Sequence, residues 1–212
     1  MCLAVSAFVI NASCGFARQE KGVLYVINED RPQDIILRHI SNLSGMNKHE
    51  IRESPKRAQD LAYVRGWGNV IVASMAPGSP DDVRRLIEKH DPACVIADQL
   101  RNFKVRAENR TNQLEMAATE MRNIAKEADV VMLSVTQAGD SASNKLVLEQ
   151  GDVDSSNTGI PAQADVMVGI GMDATTEAEG VRIVSLPKNK VGGIHDSFPV
   201  RINPQLSRYI SV

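Results

Sequence analysis

Cysteine is scarce in this 212-residue sequence, and the three present, Cys2, Cys14 and Cys94, form an odd number at no metal-ligand spacing. That pattern argues against a disulfide framework and fits a reducing cytoplasm best, with Cys94 inside an apolar run that reads as a buried strand. His39, His49, His90 and His195 are scattered, with no i, i+4 pair and no cysteine partner. A metal site or a histidine-based triad therefore has little support, and the four read as surface or packing residues. No run of about eighteen apolar residues occurs, so no membrane-spanning helix is expected. The apolar opening Met1 to Ile10 has no Lys or Arg before it, and Asn11 stands ahead of Cys14 where a lipoprotein signal wants an apolar residue, which disfavours secretion. An excess of one charge is missing too: 24 Lys and Arg face 26 Asp and Glu, a net charge of -2. Any grip on nucleic acid must then come from local loops rather than from a whole-molecule basic field. Internal repeats and low-complexity tracts are absent as well.

What the chain does have is 43% hydrophobic and 24% charged residues, the composition of one full-sized globular domain. Short β-rich runs are predicted at Val23–Asn28, Asn69–Ser74, Ala93–Asp98, Val130–Thr136, Val166–Ile170, Val181–Leu186 and Phe198–Ile202. Between the early ones, Gln33–Leu43, Pro80–His90 and Asn112–Ala128 place apolar residues three or four apart, as helices do. This alternation is that of βαβ units, an α/β class with a mostly parallel sheet flanked by helices. After Gly171 the strand signals are separated by Asp173, Gly180 and Gly192-Gly193, which predicts an antiparallel β extension at one sheet edge toward the C-terminus. Gly169 to Ala174 fits a G-x-G-x-x-G/A string, but no helical pattern of adequate length follows it, so a tight turn is expected there.

In open α/β sheets ligands bind beyond the carboxyl ends of the strands. Three predicted strands end in polar residues: Asn28-Glu29-Asp30, Asp98-Gln99 and Thr136-Gln137. Each alone is a weak signal, since strands commonly finish in polar residues.

Together, and in this order, these segments resemble the RecA-like ATPase domain of DnaB-type replicative hexameric DNA helicases, phage-like members above all. Val23 to Asp30 with Ile36 to Gly45 is similar to the family's region after the P-loop, Ala93 to Leu100 to its Walker B strand, and Val130 to Gln137 to the strand ending in a phosphate-sensing glutamine. Ser155 to Asp165 resembles the segment carrying a DNA-binding loop, and Arg182 to Gly193 the terminal motif. The resemblance implies ATP and magnesium as cofactors, a homo-oligomeric ring, hexameric by family pattern, and single-stranded DNA as partner. In those terms Glu29 would activate the attacking water. Asp98 would hold Mg²⁺, a hard cation that wants carboxylate oxygen. Gln137 would contact the γ-phosphate, and Lys188 and Lys190, two apart on a strand, would reach a phosphate bound by the adjacent subunit. Many relatives carry an arginine where Lys190 stands; lysine keeps the charge and loses the bidentate fork. The bland alternatives are a helix-start carboxylate for Glu29, a strand cap for Asp98, a solvated loop residue for Gln137 and solvated edge lysines.

Gly139 to Gly159 is long and polar, as functional or mobile loops are. The resemblance has it facing a channel for single-stranded DNA, with Ser155, Ser156, Asn157 and the cation Lys145 meeting phosphates. Asp140, Glu149, Asp152 and Asp154 oppose that role, and an ordinary disordered surface loop is the alternative.

Nowhere does the sequence contain G-x-x-x-x-G-K-[ST], the loop that cradles phosphates at a helix N-terminus. Met1 to Arg18 reads as the helix that follows that loop in the family. The expectation is therefore a single RecA-like domain over residues 1–212, truncated before that helix and hydrolysing little ATP by itself. Two alternatives stay open: a non-catalytic RecA-like module that regulates or assembles with a helicase or DNA, and a recombinase-like ATPase.

Overall fold

The computed structural model describes residues 3–76, 78–154 and 158–212. Its first sheet is built by four strands, β1 (Val23–Ile27), β2 (Val70–Ser74), β3 (Cys94–Asp98) and β4 (Val131–Ser134). They run in the order β2-β1-β3-β4, all parallel. All five residues of β1 and of β3 are buried, because a central parallel strand is covered by helices on both faces and has no solvent side on which to place a polar residue.

Side-chain alternation splits these two strands between two cores. Leu24, Val26, Val95 and Ala97 pack on one face against α5 (Pro80–His90) and α6 (Arg110–Glu127), through Val83, Ile87, Leu114, Ala117 and Met121. Val23, Tyr25, Ile27, Cys94 and Ile96 pack on the other face against α1 (Leu3–Arg18) and α2 (Pro32–Ser44), through Ile10, Cys14, Ile35 and Leu43. Helix α5 opens with a capping box, Ser79 and Asp82 each accepting from the other's backbone N–H, followed by Pro80 where no N–H is needed. Helix α2 stops at Gly45, which takes the left-handed conformation (φ 77°) that lets its N–H return to the Ser41 carbonyl.

Two short helices, α3 (Lys48–Glu53) and α4 (Pro55–Val64), follow α2 in a stretch where the sequence gives little apolar period. Beyond β4 come α7 (Gly159–Gln163), β5 (Val166–Gly171), α8 (Ala174–Ala178), β6 (Val181–Asn189), β7 (Ser197–Asn203) and β8 (Arg208–Ser211). The last four strands form a separate antiparallel sheet in the order β5-β6-β7-β8. The antiparallel C-terminal region is thus as expected, but it stands as a second sheet rather than as an extension hydrogen-bonded to the first.

Helix α1 links the two sheets. It packs on β1 and β3, and it also meets β8, where Tyr209 sets its ring edge-on to Phe8 at 5.7 Å and donates to the Ala4 carbonyl at 2.8 Å. On the opposite face α6 contacts both β4 and α7. Between these shared helices, β4 and β5 are each the last strand of their sheet, and Val131, Val166 and Val168 are exposed along them.

The glycine string at Gly169–Gly171 is not a tight turn. Both glycines lie in β5, and the loop before the strand crosses directly over them: a Cβ on Gly171 would sit 2.0 Å from the Leu146 carbonyl oxygen, and one on Gly169 would sit 2.8 Å from Leu148 Cβ. Close backbone approach, not turn geometry, explains these glycines.

Candidate functional site at the carboxyl edge of the parallel sheet

Strands β1 and β3 are paired so that Ile27 lies beside Asp98, which brings Asn28-Glu29-Asp30 against Asp98-Gln99. Asn28 fastens the two strand ends together. Its Nδ2 donates to the Gln99 carbonyl at 2.9 Å, and its Oδ1 accepts from the Gln99 N–H at 2.7 Å and from Asn102 Nδ2 at 3.3 Å. Strand β4 lies on the other side of β3, and Leu100 N–H donates to the Val135 carbonyl at 2.9 Å, holding the third strand end in line. Glu29, Asp98 and Gln137 therefore share one edge, at the ends of three neighbouring strands.

Asp98 is almost wholly buried, with 2% of its surface exposed. The Tyr25 hydroxyl, two residues before Ile27 on the same face of β1, donates to Asp98 Oδ2 at 2.9 Å. Asp98 Oδ1 is buried without a hydrogen-bond partner among the described residues. Burial pushes the Asp98 carboxyl up to about 6 from 3.8; the Tyr25 hydrogen bond lowers it, the negative charges of Asp30 and Glu29 raise it, and the Arg38 cation lowers it. A half-satisfied buried carboxylate with two further carboxylates nearby is a donor set that a divalent cation would complete. Tyr25 in turn is held protonated well above the usual phenol range, first by burial and then by the Asp98 charge. Arg38, on α2, is pulled below the ordinary arginine range by burial, which Tyr25, Asp30 and Asp98 oppose.

Gln137 lies in the segment after β4, half-buried, and its Oε1 accepts a short hydrogen bond from Arg101. Its carbonyl accepts from the Asp154 N–H at 3.0 Å, so the residue joins the strand end to the following loop. Within the described part of Gly139 to Gly159 that loop is ordered by its own polar contacts rather than left as open coil. Lys145 Nζ meets Asp152 Oδ2 at 2.8 Å and Glu149 Oε2 at 3.1 Å, and Ser141 donates to Asp152 at 3.1 Å. These bonds hold the Asp152 carboxyl below the usual range and raise the Lys145 ammonium. The one cation of the segment thus faces carboxylates, while Ser155, Ser156 and Asn157 lie outside the described residues.

Lys188 and Lys190 are placed on the second sheet. Lys188 Nζ makes a short hydrogen bond to the Pro161 carbonyl, and Lys190 Nζ lies 3.5 Å from Asp165 Oδ1. These contacts, to α7 and to the residue before β5, do not bring either lysine to the Glu29–Asp98–Gln137 edge of the same chain.

His39 proves a packing residue. It is fully buried, its Nε2 and Nδ1 lie 2.9 Å from Ser13 Oγ and the Ile35 carbonyl, and burial lowers it to about 4. Cys94 is buried in β3 with its thiol pushed up to about 12 by burial. Among the described residues no group of three or more His, Cys, Asp or Glu is arranged to hold a metal, and no helix is long and apolar enough to cross a membrane. The partners Tyr25, Asn28, Arg38 and Arg101 escape sequence reading: Tyr25 looks like one more core aromatic until strand register places its hydroxyl at Asp98.

By sequence the chain matches no protein-family model and no curated protein. By structure it is similar to the isolated ATPase domain of a DnaB-like replicative helicase, at 17% identity with a TM-score of 0.83, covering all of this chain and 81% of that one. A second DnaB-like replicative helicase, described with its interactions with primase, superposes with a TM-score of 0.85 at 16% identity; here the chain spans only 55% of the other's length. A KaiC-like protein from the hyperthermophilic archaeon Pyrococcus horikoshii OT3 gives 0.65 at 14% identity, covering all of this chain and 85% of that one. At such identities the likeness is one of fold, and the fold over the whole chain is the RecA-like one of DnaB-like replicative helicase ATPase domains.

Proposed function

We propose that the chain is an ATPase module of a DnaB-type DNA helicase, working in a homo-oligomeric ring on single-stranded DNA in the cytoplasm of a bacterium or an infected host. The observation that carries this reading is the buried Asp98, with one oxygen unpartnered, aligned at neighbouring strand ends with Glu29 and Gln137. Asp98 would hold Mg²⁺, which when bound supplies positive charge to the phosphate oxygens of ATP. Glu29, exposed at the end of β1, orients water and takes its proton. Gln137 senses the terminal phosphate and passes the change to the Gly139–Gly159 loop through the Asp154 hydrogen bond, with Ser155, Ser156 and Asn157 toward DNA. Lys188 and Lys190 turn from Pro161 and Asp165 to a phosphate on the adjacent subunit.

Donors of the G-x-x-x-x-G-K-[ST] type are not among the 212 residues, so the chain by itself is expected to turn over little ATP. That same observation favours a second reading, a non-catalytic RecA-like module that assembles with a helicase ring. The protein translated from the complete reading frame decides between them. ATP hydrolysis stimulated by single-stranded DNA, ring formation by native mass spectrometry, and a loss of turnover of roughly a hundredfold or more in Glu29→Gln support the motor. Hydrolysis indifferent to DNA in a protein that never forms rings refutes it, and a complete protein that binds a helicase ring without hydrolysing ATP establishes the second reading.

A further inference from the structure

At the opposite, amino-terminal edge of the parallel sheet, the ends of α1, α2 and α4 and the start of β8 enclose an open cleft of about 860 Å³. Three arginines line it from segments far apart in sequence: Arg18 ends α1, Arg65 follows α4 and Arg208 opens β8. All three reach the last turn of α2. Arg18 Nη2 donates to Asn42 Oδ1 at 2.7 Å and to its carbonyl at 3.3 Å, and Arg65 Nη1 donates to the Leu43 and Ser44 carbonyls at 2.9 and 3.0 Å. Arg208 donates to the Asn42 carbonyl through Nε at 3.0 Å and through Nη2.

Capping the helix explains one of these cations and not three. The carboxyl end of a helix carries roughly half a negative charge, so three guanidiniums there leave a surplus of about two positive charges. Among the described residues none of the three forms a salt bridge with a carboxylate, and Glu20 is the one acidic residue lining the cleft. Arg208 is held below the ordinary arginine range by burial first and then by the like charges of Arg18 and Arg65, so the three cations crowd one another. Each keeps N–H groups that bond nothing among the described residues: Nε and Nη1 of Arg18, Nε and Nη2 of Arg65, and Nη1 of Arg208. A planar fork with spare donors is the group best matched to phosphate.

A second element gives the site its selectivity. Tyr63 lines the same cleft with 70% of its surface exposed, and Gly68 leaves room beneath the ring, where a Cβ would lie 3.3 Å from Tyr63 Cε2. An exposed aromatic face beside a cationic groove is the pairing that holds a base and its phosphate. We propose that this cleft is a nucleotide-binding site, taking the phosphate on Arg18, Arg65 and Arg208 and the base on Tyr63. It is separate from the Asp98 edge: five-residue strands set the two edges about 16 Å apart. The base-and-phosphate unit can be a free nucleotide or part of a single strand.

Trp67, the only tryptophan, sits two residues from Arg65 and reports on the cleft. Its fluorescence is followed in the full chain against AMP, inorganic phosphate and an oligothymidylate. AMP or the oligonucleotide should change the emission saturably; tighter binding of AMP per phosphate identifies a free nucleotide, and tighter binding of the oligonucleotide identifies a strand. Tyr63→Ala should weaken AMP about tenfold and leave inorganic phosphate unaffected, a loss typical of one stacked base. Arg65→Gln should weaken both, and Arg18→Gln repeats that test away from the Leu43 and Ser44 carbonyls. Asp98→Asn should leave the response intact, which separates this site from the proposed catalytic one. No response to AMP or oligonucleotide at millimolar concentration overturns the proposal. So does a response to phosphate alone that ignores Tyr63→Ala, which is an adventitious ion only, or a response abolished by Asp98→Asn.

Discussion

Replacing Asp98 by asparagine should make the chain more stable at neutral pH while removing its response to magnesium. The carboxyl titrates at about 6 in the fold against 3.8 in an unfolded chain, a shift caused first by burial. A carboxyl whose folded value is raised favours the native state while it is protonated. Its contribution is full below the unfolded value and is lost as the pH rises through the folded one. Two units at about 1.4 kcal/mol each give a cost of about 3 kcal/mol once both states are ionised, near pH 7.5. The asparagine would be neutral at every pH and nearly isosteric, and the Tyr25 hydroxyl can still donate to its side-chain oxygen. The assay is urea unfolding of Asp98→Asn beside the parent across the acid-to-neutral range. The variant's advantage should be near zero at about pH 3.5 and grow to about 3 kcal/mol by about pH 7.5. Millimolar Mg²⁺ should then raise the parent's unfolding midpoint and leave the variant's unchanged, because only a ligand that binds the native state shifts it. A variant no more stable than the parent at neutral pH, or one whose advantage is the same at both ends, would refute this account of Asp98.

His39 titrates in the opposite sense. Its folded value of about 4, against 6.5, means stability present above the unfolded value and lost as the pH falls toward 4, by roughly 3 kcal/mol, a slope that should disappear from the difference between His39→Gln and the parent in the same urea assay. Gly66→Ala should cost about 3 kcal/mol, since φ is +100° there and the new Cβ would stand 2.3 Å from the Ala17 carbonyl oxygen; a change in the thermal midpoint of less than a degree would contradict this. Gly171→Ala should push the Leu146 backbone off β5 and speed proteolytic cleavage within residues 139–154, with the cleavage pattern elsewhere unchanged.

The parallel half of the fold was legible because its strands leave a distinct mark. A strand covered on both faces must be apolar throughout, as Val23–Ile27 is, and α5 and α6 announce themselves by period and by the caps at Ser79 and Asn109. Helices α3 and α4 were harder to see: one has six residues, and Pro55 breaks the pattern between them. Division into two sheets is a matter of which edges meet, and a strand's composition does not record its neighbours. The same limit applies to the site. Glu29, Asp98 and Gln137 stand out as polar residues ending apolar runs, whereas Tyr25 acquires its contact from register, and Arg18 and Arg208 converge across most of the chain's length.

The two strands left at the ends of their sheets bear on how the chain behaves at high concentration. β4 and β5 present rows of N–H and C=O groups with valines beside them, which is the template on which extended segments add. Brevity guards β4, at four residues, and Asp129 and Asp165 stand just before the two strands as charges that discourage stacking. Neutralising both aspartates would take away that guard and direct self-association to these two edges, where backbone amide exchange would slow first.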